Sequence, residues 1–333
     1  MTEQNTRILL RERPSGAVAE KHFQIDEAPL PSPGPGEALV KVLYLSIDPT
    51  IKGWIERDTY LPAVKIGDVV RSGGVAEVVE SNDPKLSPGD RVFGTVGWQK
   101  YAIVGPQTMA TPLPPGVDPT DALSIFGITG MTAYFGMTDI GRPQAGETVV
   151  VSGAAGATGS VAGQIARLLG CRVVGLAGGP AKCGWLTDEL GFDAAIDYKN
   201  EEVAERLRET CPKGVDVFFD NVGGPILDAV LARINQRARV VLCGAISQYD
   251  DFEDVYGPRN YINLISARGR MEGFVILDYL DRFGEGAAEL GKWVAAGELR
   301  YRKTVVQGLE NAPQALMRLF TGDHDGKMMV EVA

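Results

Sequence analysis

Residues 149–159 read VVVSGAAGATG, a continuous apolar run followed by a loop of small residues that opens a helical segment. Positions without bulky side chains let the backbone approach a phosphate, and the N–H groups at the start of the helix favour negative charge. The spacing departs from a plain G-x-G-x-x-G because Ala155 and Gly156 shift it. The segment predicts a βαβ unit with a phosphate-binding turn; the alternative is a tight strand-to-helix turn without a ligand.

The pattern around this loop predicts the fold class. Before about residue 121 the chain consists of short β-rich runs, such as 38–46 and 74–80, without strong helices, which predicts a compact β-barrel. From there to about Gly297 strands alternate with helices, which is typical of a doubly wound parallel sheet.

The last residues are too short to form a domain of their own. A strand at 301–306 and a helix at 312–320 follow Gly297, and we expect them to return to the first domain. The predicted domains are therefore residues 1–125 with 300–333, and residues 126–299.

The end of the second strand indicates which dinucleotide would bind. An NAD site usually carries an acidic residue there, which holds the ribose 2′-hydroxyl. Here the strand ends at Gly178 and Gly179 with no acid, and Lys182 follows where a cation could meet a 2′-phosphate. This favours NADP(H), although Lys182 could instead be a solvated helix lysine.

Composition excludes several classes of function. The net charge of −10 disfavours nucleic acid and anionic membrane surfaces as partners, and no apolar run is long enough to span a membrane. The polar, acidic first residues do not resemble a signal peptide, and the four cysteines form no C-x-x-C pair, so we expect a cytoplasmic protein with free thiols. Two histidines, His22 and His324, lie in no metal-binding spacing, so no metal site is predicted.

Several motifs, in order along nearly the whole chain, resemble the zinc-free branch of the medium-chain dehydrogenase/reductase superfamily. That branch includes prostaglandin reductases, leukotriene hydroxydehydrogenases and plant alkenal double-bond reductases. The matching segments are LSIDP at 45–49, GMTAYFG at 130–136, AAGATG at 154–159, FDNVGG at 219–224, CGAISQY at 243–249 and RMEGF at 270–274. The resemblance implies an α/β fold, with a Rossmann doubly wound sheet and an N-terminal GroES-like β-barrel that the C-terminal tail completes.

The resemblance also assigns cofactor-binding roles to particular residues. Gly156, Ala157, Thr158 and Gly159 would hold the pyrophosphate, and Lys182 and Tyr198 would lie at the adenosine phosphate. The nicotinamide ribose and ring would be lined by Asn221, Cys243, Gly244, Ala245, Ile246, Ser247, Gln248, Tyr249, Phe274, Val275 and Ile276. Asn221, Cys243 and Phe274 also follow predicted strand ends, the edge at which open α/β sheets bind ligands.

Two positions depart from the family pattern. Thr50 follows Asp48-Pro49 where relatives often carry a bulky residue, which affects the expected shape of the substrate pocket. His324 stands in GDHDGK where many relatives have G-x-N-x-G-K. It either hydrogen-bonds the cofactor as asparagine would or is an exposed loop histidine.

Members of such a family reduce the carbon–carbon double bond of α,β-unsaturated aldehydes and ketones, which implies the same small-molecule substrate class here. Tyr249 and Tyr261 are the candidates for donating to the substrate carbonyl, and Tyr261 lies in a possible lid at 250–263. Either tyrosine could instead pack its ring with its hydroxyl in water. The alternatives are an NADPH:quinone oxidoreductase and a non-catalytic NADPH-binding protein. The resemblance further suggests a homodimer that pairs the sheets of two cofactor domains.

Overall fold

The computed structural model describes residues 4–251 and 254–332. The chain divides into two compact units. One contains the N-terminal residues up to Ser124 together with the residues from Lys303 onward, and the other runs from Ile125 to Arg302.

The N-terminal part of the first unit consists mainly of strands. They are β1 Gln4–Leu10, β2 Phe23–Pro29, β3 Ala38–Ser46, β4 Gly73–Ser81, β5 Arg91–Thr95, β6 Tyr101–Val104 and β7 Thr111–Pro112. The β-rich runs predicted at 38–46 and 74–80 are confirmed as β3 and β4. Two short helices, α1 Thr50–Glu56 and α2 Pro119–Leu123, occur where the sequence analysis predicted no strong helix. Both helices have only one to two turns, too few for a helical period to stand out in the sequence.

The second unit alternates strands and helices. Its strands are β8 Thr148–Val151, β9 Arg172–Ala177, β10 Ala194–Asp197, β11 Val215–Asp220, β12 Ile234–Leu242 and β13 Arg270–Gly273. Its helices are α3 Ile128–Phe135, α4 Ala157–Leu168, α5 Pro180–Gly184, α6 Val203–Thr210, α7 Gly224–Leu231, α8 Asn263–Ala267 and α9 Phe283–Ala295. The helical segment after β9 is divided: α5 ends at Gly184, and wider helical turns continue from Trp185 to Glu189.

All six strands of this unit are parallel, in the order β10-β9-β8-β11-β12-β13. Strand order reverses between β8 and β11, the position at which doubly wound sheets bind dinucleotides. The predicted Rossmann-type sheet is confirmed. Its central strands are apolar because both faces are covered: Val149, Val150 and Val151 are fully buried.

The C-terminal residues of the first unit form β14 Lys303–Gln307, α10 Ala312–Thr321 and β15 Lys327–Glu331. Strand β15 pairs antiparallel with β3, so the tail joins the first unit's sheet, whose order is β14-β15-β3-β4-β5-β7 with β6 also paired to β3. The predicted return of the tail is confirmed, and closure of this sheet into a barrel stays a prediction. No helix among the described residues is long and apolar enough to cross a membrane.

Candidate functional site

The loop after β8 has the backbone geometry expected of a phosphate-binding turn. Gly153 has φ +57°, a conformation that favours glycine. A Cβ added to Gly159 would lie 2.4 Å from the carbonyl oxygen of Gly153, so the first turn of α4 packs directly on the loop backbone. The first N–H groups of a helix have no acceptor within the helix, which makes the segment from Gly156 to Gly159, including Ala157 and Thr158, able to bind an anion.

At the end of β9, two side chains pack against the backbone of Gly178, which has no side chain of its own. A Cβ on Gly178 would lie 2.7 Å from the Tyr198 hydroxyl oxygen and 2.9 Å from Cε of Lys199. The Asp197 carboxylate accepts the N–H of Gly179 at 2.8 Å and that of Lys199 at 3.1 Å, which ties β10 to this loop. Burial raises the pKa of Tyr198, so its hydroxyl stays protonated and can donate.

This arrangement places predicted Tyr198 beside a cation that the sequence analysis did not single out. Lys199 follows Tyr198 directly in the sequence, and this adjacency could have identified Lys199 as a further candidate cation. Lys182 lies in α5, directly after the same glycine pair. Gly178, Gly179, Tyr198 and Lys199 therefore lie together at the end of β9, and Lys182 follows them in α5.

Asn221, directly after β11, joins the loop after β8 to the end of β11. Its Nδ2 donates to the carbonyl oxygen of Ser152 at 2.6 Å, and its backbone N–H donates to Oγ of Ser152 at 2.8 Å. A Cβ on Gly153 would be 3.4 Å from Cβ of Asn221. Asn221 therefore lies at the phosphate loop.

Backbone hydrogen bonds hold the run from Cys243 to Tyr249 at the same carboxyl edge of the sheet. The N–H of Cys243 and of Gly244 donate to the carbonyl oxygen of Asp220 at 2.9 and 3.1 Å. Further along, Ile246 N donates to Asn221 O, and both N and Oγ of Ser247 donate to Val222 O, at 3.1, 3.1 and 2.6 Å. The run thus follows the loop after β11.

The side chains of this run have distinct surroundings. The Tyr249 hydroxyl oxygen accepts the N–H of Ala245 at 3.3 Å. Gln248 donates to Oγ of Ser247 at 2.7 Å and accepts the N–H of Tyr256 at 2.7 Å. Burial raises the pKa of the Cys243 thiol to about 12, so it is a neutral thiol near neutral pH rather than a nucleophilic thiolate.

The residues after β13 are positioned by packing. The Phe274 ring meets Tyr279 edge to face, with 6.3 Å between centroids, and a Cβ on Gly136 would lie 2.9 Å from Cζ of Phe274. Phe274 and Ile276 both pack against the apolar core, with Val275 between them in extended backbone. Their side chains therefore fix the segment, which leaves its backbone at the carboxyl edge of the sheet.

The two predicted catalytic tyrosines lie in different settings. Tyr249 is part of the loop after β12, whereas Tyr261 is 58% exposed in a helical turn at Arg259–Ile262. The predicted lid contains residues 252 and 253, which lie outside the described residues. Its later part is fastened to α7, because Asp228 accepts the Tyr256 hydroxyl at 2.9 Å and the N–H of Asn260 at 2.7 Å.

Two of the family motifs meet within the first unit. Lys327, which ends GDHDGK, is buried and donates to the carbonyl oxygen of Ile47 at 2.8 Å and to Oδ1 of Asp48 at 2.9 Å. His324 of the same motif is half-buried in the turn between α10 and β15.

Thr50 contacts Tyr60, a residue that the sequence motifs did not indicate. Oγ1 of Thr50 lies 3.1 Å from the Tyr60 hydroxyl oxygen, and Tyr60 packs edge to face on Trp54 with 6.2 Å between ring centroids. Burial raises the pKa of Tyr60, so it is a protonated phenol.

Among the described residues, no three His, Cys, Asp or Glu side chains cluster as a metal ion would require. The described cysteines, Cys171, Cys183, Cys211 and Cys243, are all free thiols.

Comparison with known proteins covers both halves of the chain. A family described as the N-terminal domain of oxidoreductase matches residues 6–111, and one described as zinc-binding dehydrogenase matches residues 157–288. The chain is 41% identical to the NADPH-dependent curcumin reductase of Escherichia coli, over 99% of this chain and 98% of that protein. It is 38% identical to the NADP⁺-dependent 2-alkenal reductase of Nicotiana tabacum, over 99% and 98% of the two chains. The crystal structure of CurA from Vibrio vulnificus in complex with NADPH is similar, with a TM-score of 0.93 and 41% identity over 98% of this chain and 99% of that one.

Proposed function

We propose that this chain, which belongs to the zinc-free branch of the medium-chain dehydrogenase/reductase superfamily, reduces the carbon–carbon double bond of α,β-unsaturated aldehydes and ketones with NADPH. The observation that carries the proposal is the set of loops at the carboxyl edge of one parallel sheet. Two of them are lined by glycines, as a phosphate site would be, and the loops after β11, β12 and β13 adjoin them. The relatives named above are NADPH- or NADP⁺-dependent reductases by name, and they match over nearly the full length.

The residues present fit NADP(H). A side chain at Gly159 would collide with the loop backbone, so the turn is kept bare where a pyrophosphate would bind. At the adenosine end, Tyr198 and Lys199 fold over Gly178 while Lys182 follows on α5. Two lysines and a phenol match a 2′-phosphate, whereas the acid that an NAD site would use is absent from the end of β9.

In the mechanism, the chain's own residues bind and orient the cofactor and the substrate, and they stabilise the charge that develops. The segment from Gly156 to Gly159 would bind the pyrophosphate, while Asn221, the run from Cys243 to Tyr249 and the backbone of 274–276 would line the nicotinamide ribose and ring. When bound, NADPH supplies the hydride that reduction of the double bond requires. A tyrosine hydroxyl, from Tyr249 or Tyr261, would donate a hydrogen bond to the substrate carbonyl oxygen, on which negative charge develops during reduction. Solvent then protonates the α-carbon.

The two parts of the chain divide this work. Residues 126–299 hold the dinucleotide, and residues 1–125 with 300–333 bind the substrate. The protein acts on small molecules and functions as a homodimer, which sedimentation or light scattering would detect at twice the chain mass.

The decisive experiment follows NADPH oxidation by absorbance with a panel of enals, enones and quinones, and repeats it with NADH. We expect turnover of enals and enones with NADPH and little with NADH. Turnover of quinones alone would replace the proposal with a quinone oxidoreductase. Tight NADPH binding without turnover on any member of the panel would indicate a non-catalytic NADPH-binding protein.

A further inference from the structure

Asp220, the last residue of β11, carries a buried carboxylate that the proposed mechanism does not use. Its Oδ1 accepts the Ser152 hydroxyl at 2.6 Å and the N–H groups of Val222 and Gly223 at 3.0 and 3.1 Å. Its Oδ2 lies 3.2 Å from the same Gly223 nitrogen. Within the described part of the chain no lysine or arginine is paired with it, so hydrogen bonds compensate this charge.

Ser152 extends this network to the first loop. The hydroxyl of this fully buried residue donates to Asp220 and accepts the backbone N–H of Asn221. Its carbonyl oxygen accepts Nδ2 of Asn221. One hydroxyl thus acts as donor and acceptor at once, which fixes the distance between the loop after β8 and the loop after β11.

The backbone of Asp220 reaches a third loop. Its carbonyl oxygen accepts the N–H groups of Cys243 and Gly244, which begin the run after β12. A single residue therefore contacts the ends of three neighbouring strands, β8, β11 and β12, through side chain and backbone. All three ends belong to the edge at which we propose the dinucleotide binds.

A buried carboxylate is costly, and burial raises the pKa of Asp220 against the opposing effect of its hydrogen bonds. An apolar residue could fill the same volume without that cost, but it would not set the spacing of the two loops to hydrogen-bond length. Directional hydrogen bonds hold Ser152, Val222 and Gly223 in one geometry, which apolar packing does less strictly.

We propose that Asp220 is a positioning residue that presets the pyrophosphate loop after β8 against the loops after β11 and β12, which hold the nicotinamide half of the dinucleotide. The inference rests on the proposed function, in that it takes NADP(H) as the ligand of this edge. Asp220 does not touch the adenosine end, where Gly178, Tyr198 and Lys199 lie. Its removal should therefore weaken the binding of whole NADPH and spare a ligand that contains only the adenosine half.

The test compares the variants Asp220→Ala, Asp220→Asn and Ser152→Ala by direct binding of NADPH and of 2′-AMP, which lacks the 5′-phosphate, followed by fluorescence or calorimetry. For Asp220→Ala we expect the NADPH Kd to rise about tenfold or more, as for the loss of hydrogen bonds to a charged group. The Kd of 2′-AMP should stay within about twofold, the usual scale for sites without a shared contact. Asp220→Asn should be milder, because its amide oxygen can keep the three contacts of Oδ1.

Asp216 provides a matched control at the other end of the same strand. Its Oδ2 accepts the N–H of Thr148 at 2.8 Å and its Oδ1 accepts Nδ2 of Asn235 at 2.8 Å, so it also bridges neighbouring strands. Asp216→Asn should lower the thermal midpoint without changing either Kd. A purely structural role for Asp220 would make its variants behave in the same way.

An unchanged NADPH Kd in folded Asp220→Ala, or equal losses for NADPH and 2′-AMP, would overturn the inference. If Asp220→Ala fails to fold, the same comparison of the two Kd values in Ser152→Ala decides whether the inference holds. If the unmodified protein binds NADPH but turns over no enal or enone, the proposed reaction fails while the inference is still decided by the binding data. If it does not bind NADPH, both fail.

Discussion

At the scale of single residues, glycines, which have no side chain, define the proposed binding edge of the sheet. Gly159 and Gly178 illustrate two kinds of constraint. A Cβ on Gly159 would meet backbone at 2.4 Å, whereas a Cβ on Gly178 would meet the far ends of two flexible side chains. The first contact cannot be relieved without moving the loop, while the second can be relieved by rotating Tyr198 and Lys199 away.

We therefore predict that Gly178→Ala affects cofactor affinity more than stability. Displacing Tyr198 and Lys199 removes a donor and a cation from the proposed 2′-phosphate site, and the KM for NADPH should rise about tenfold. The weak activity with NADH should be unchanged, and steady-state kinetics with both cofactors measures this. Gly284→Ala is the control, since a Cβ there meets nothing within 4 Å. An equal loss with NADH would contradict this explanation.

At the scale of elements, the C-terminal strand is held by more than its backbone pairing. The side chain of Lys327 in β15 is 2% exposed, and its ammonium donates to Ile47 and Asp48, directly after β3. Burial lowers the pKa of Lys327, and the adjacent Asp48 carboxylate opposes that shift. The lysine thus joins the GDHDGK and LSIDP motifs in one unit.

Lys327→Met should lower the free energy of unfolding by about 2–4 kcal/mol, because it leaves Asp48 without its buried partner. Urea unfolding measures this change. Adding Asp48→Asn should restore part of the loss, which identifies the pair as the cause. The exposed Lys85→Met should change stability by no more than about 0.5 kcal/mol. A Lys327→Met protein as stable as its parent would show that the pair contributes no net stability.

At the scale of the whole molecule, the thiols bear on the proposed substrate class, since enals and enones alkylate thiolates. Burial raises the pKa of Cys171 and of Cys183 to about 11 and that of Cys243 to about 12, and it also raises the pKa of Cys211. A raised pKa means that less thiolate is present at any pH below it. The fold therefore keeps its described cysteines in their unreactive form near neutral pH.

Consequently, the rate of alkylation by iodoacetamide or acrolein in the folded protein should stay low at neutral pH and rise only as the pH approaches about 11, whereas the denatured chain should respond near the ordinary thiol value of about 8.5. Mass spectrometry of peptides after timed labelling would assign the rate to each cysteine. Rapid labelling of folded Cys243 near neutral pH would contradict the prediction.

The sequence alone determined the parallel sheet, the glycine-lined turn after β8 and the return of the C-terminal tail. These depend on local patterns: apolar runs of strand length, glycines at 153–159, and helices that end at glycine. It placed Asn221, Cys243 and Phe274 after strand ends because parallel strands end at a common edge. Short elements such as α1 and α2 carry too few residues for a period to be distinctive.

Only the tertiary structure decided which distant groups meet. The Ser152–Asp220 bond joins residues 68 positions apart, and the Lys327–Asp48 bond joins residues 279 apart. The placement of Lys199 over Gly178 likewise depends on the pairing of β9 with β10. Such contacts arise from strand order and register, and no local pattern in the chain specifies their geometry.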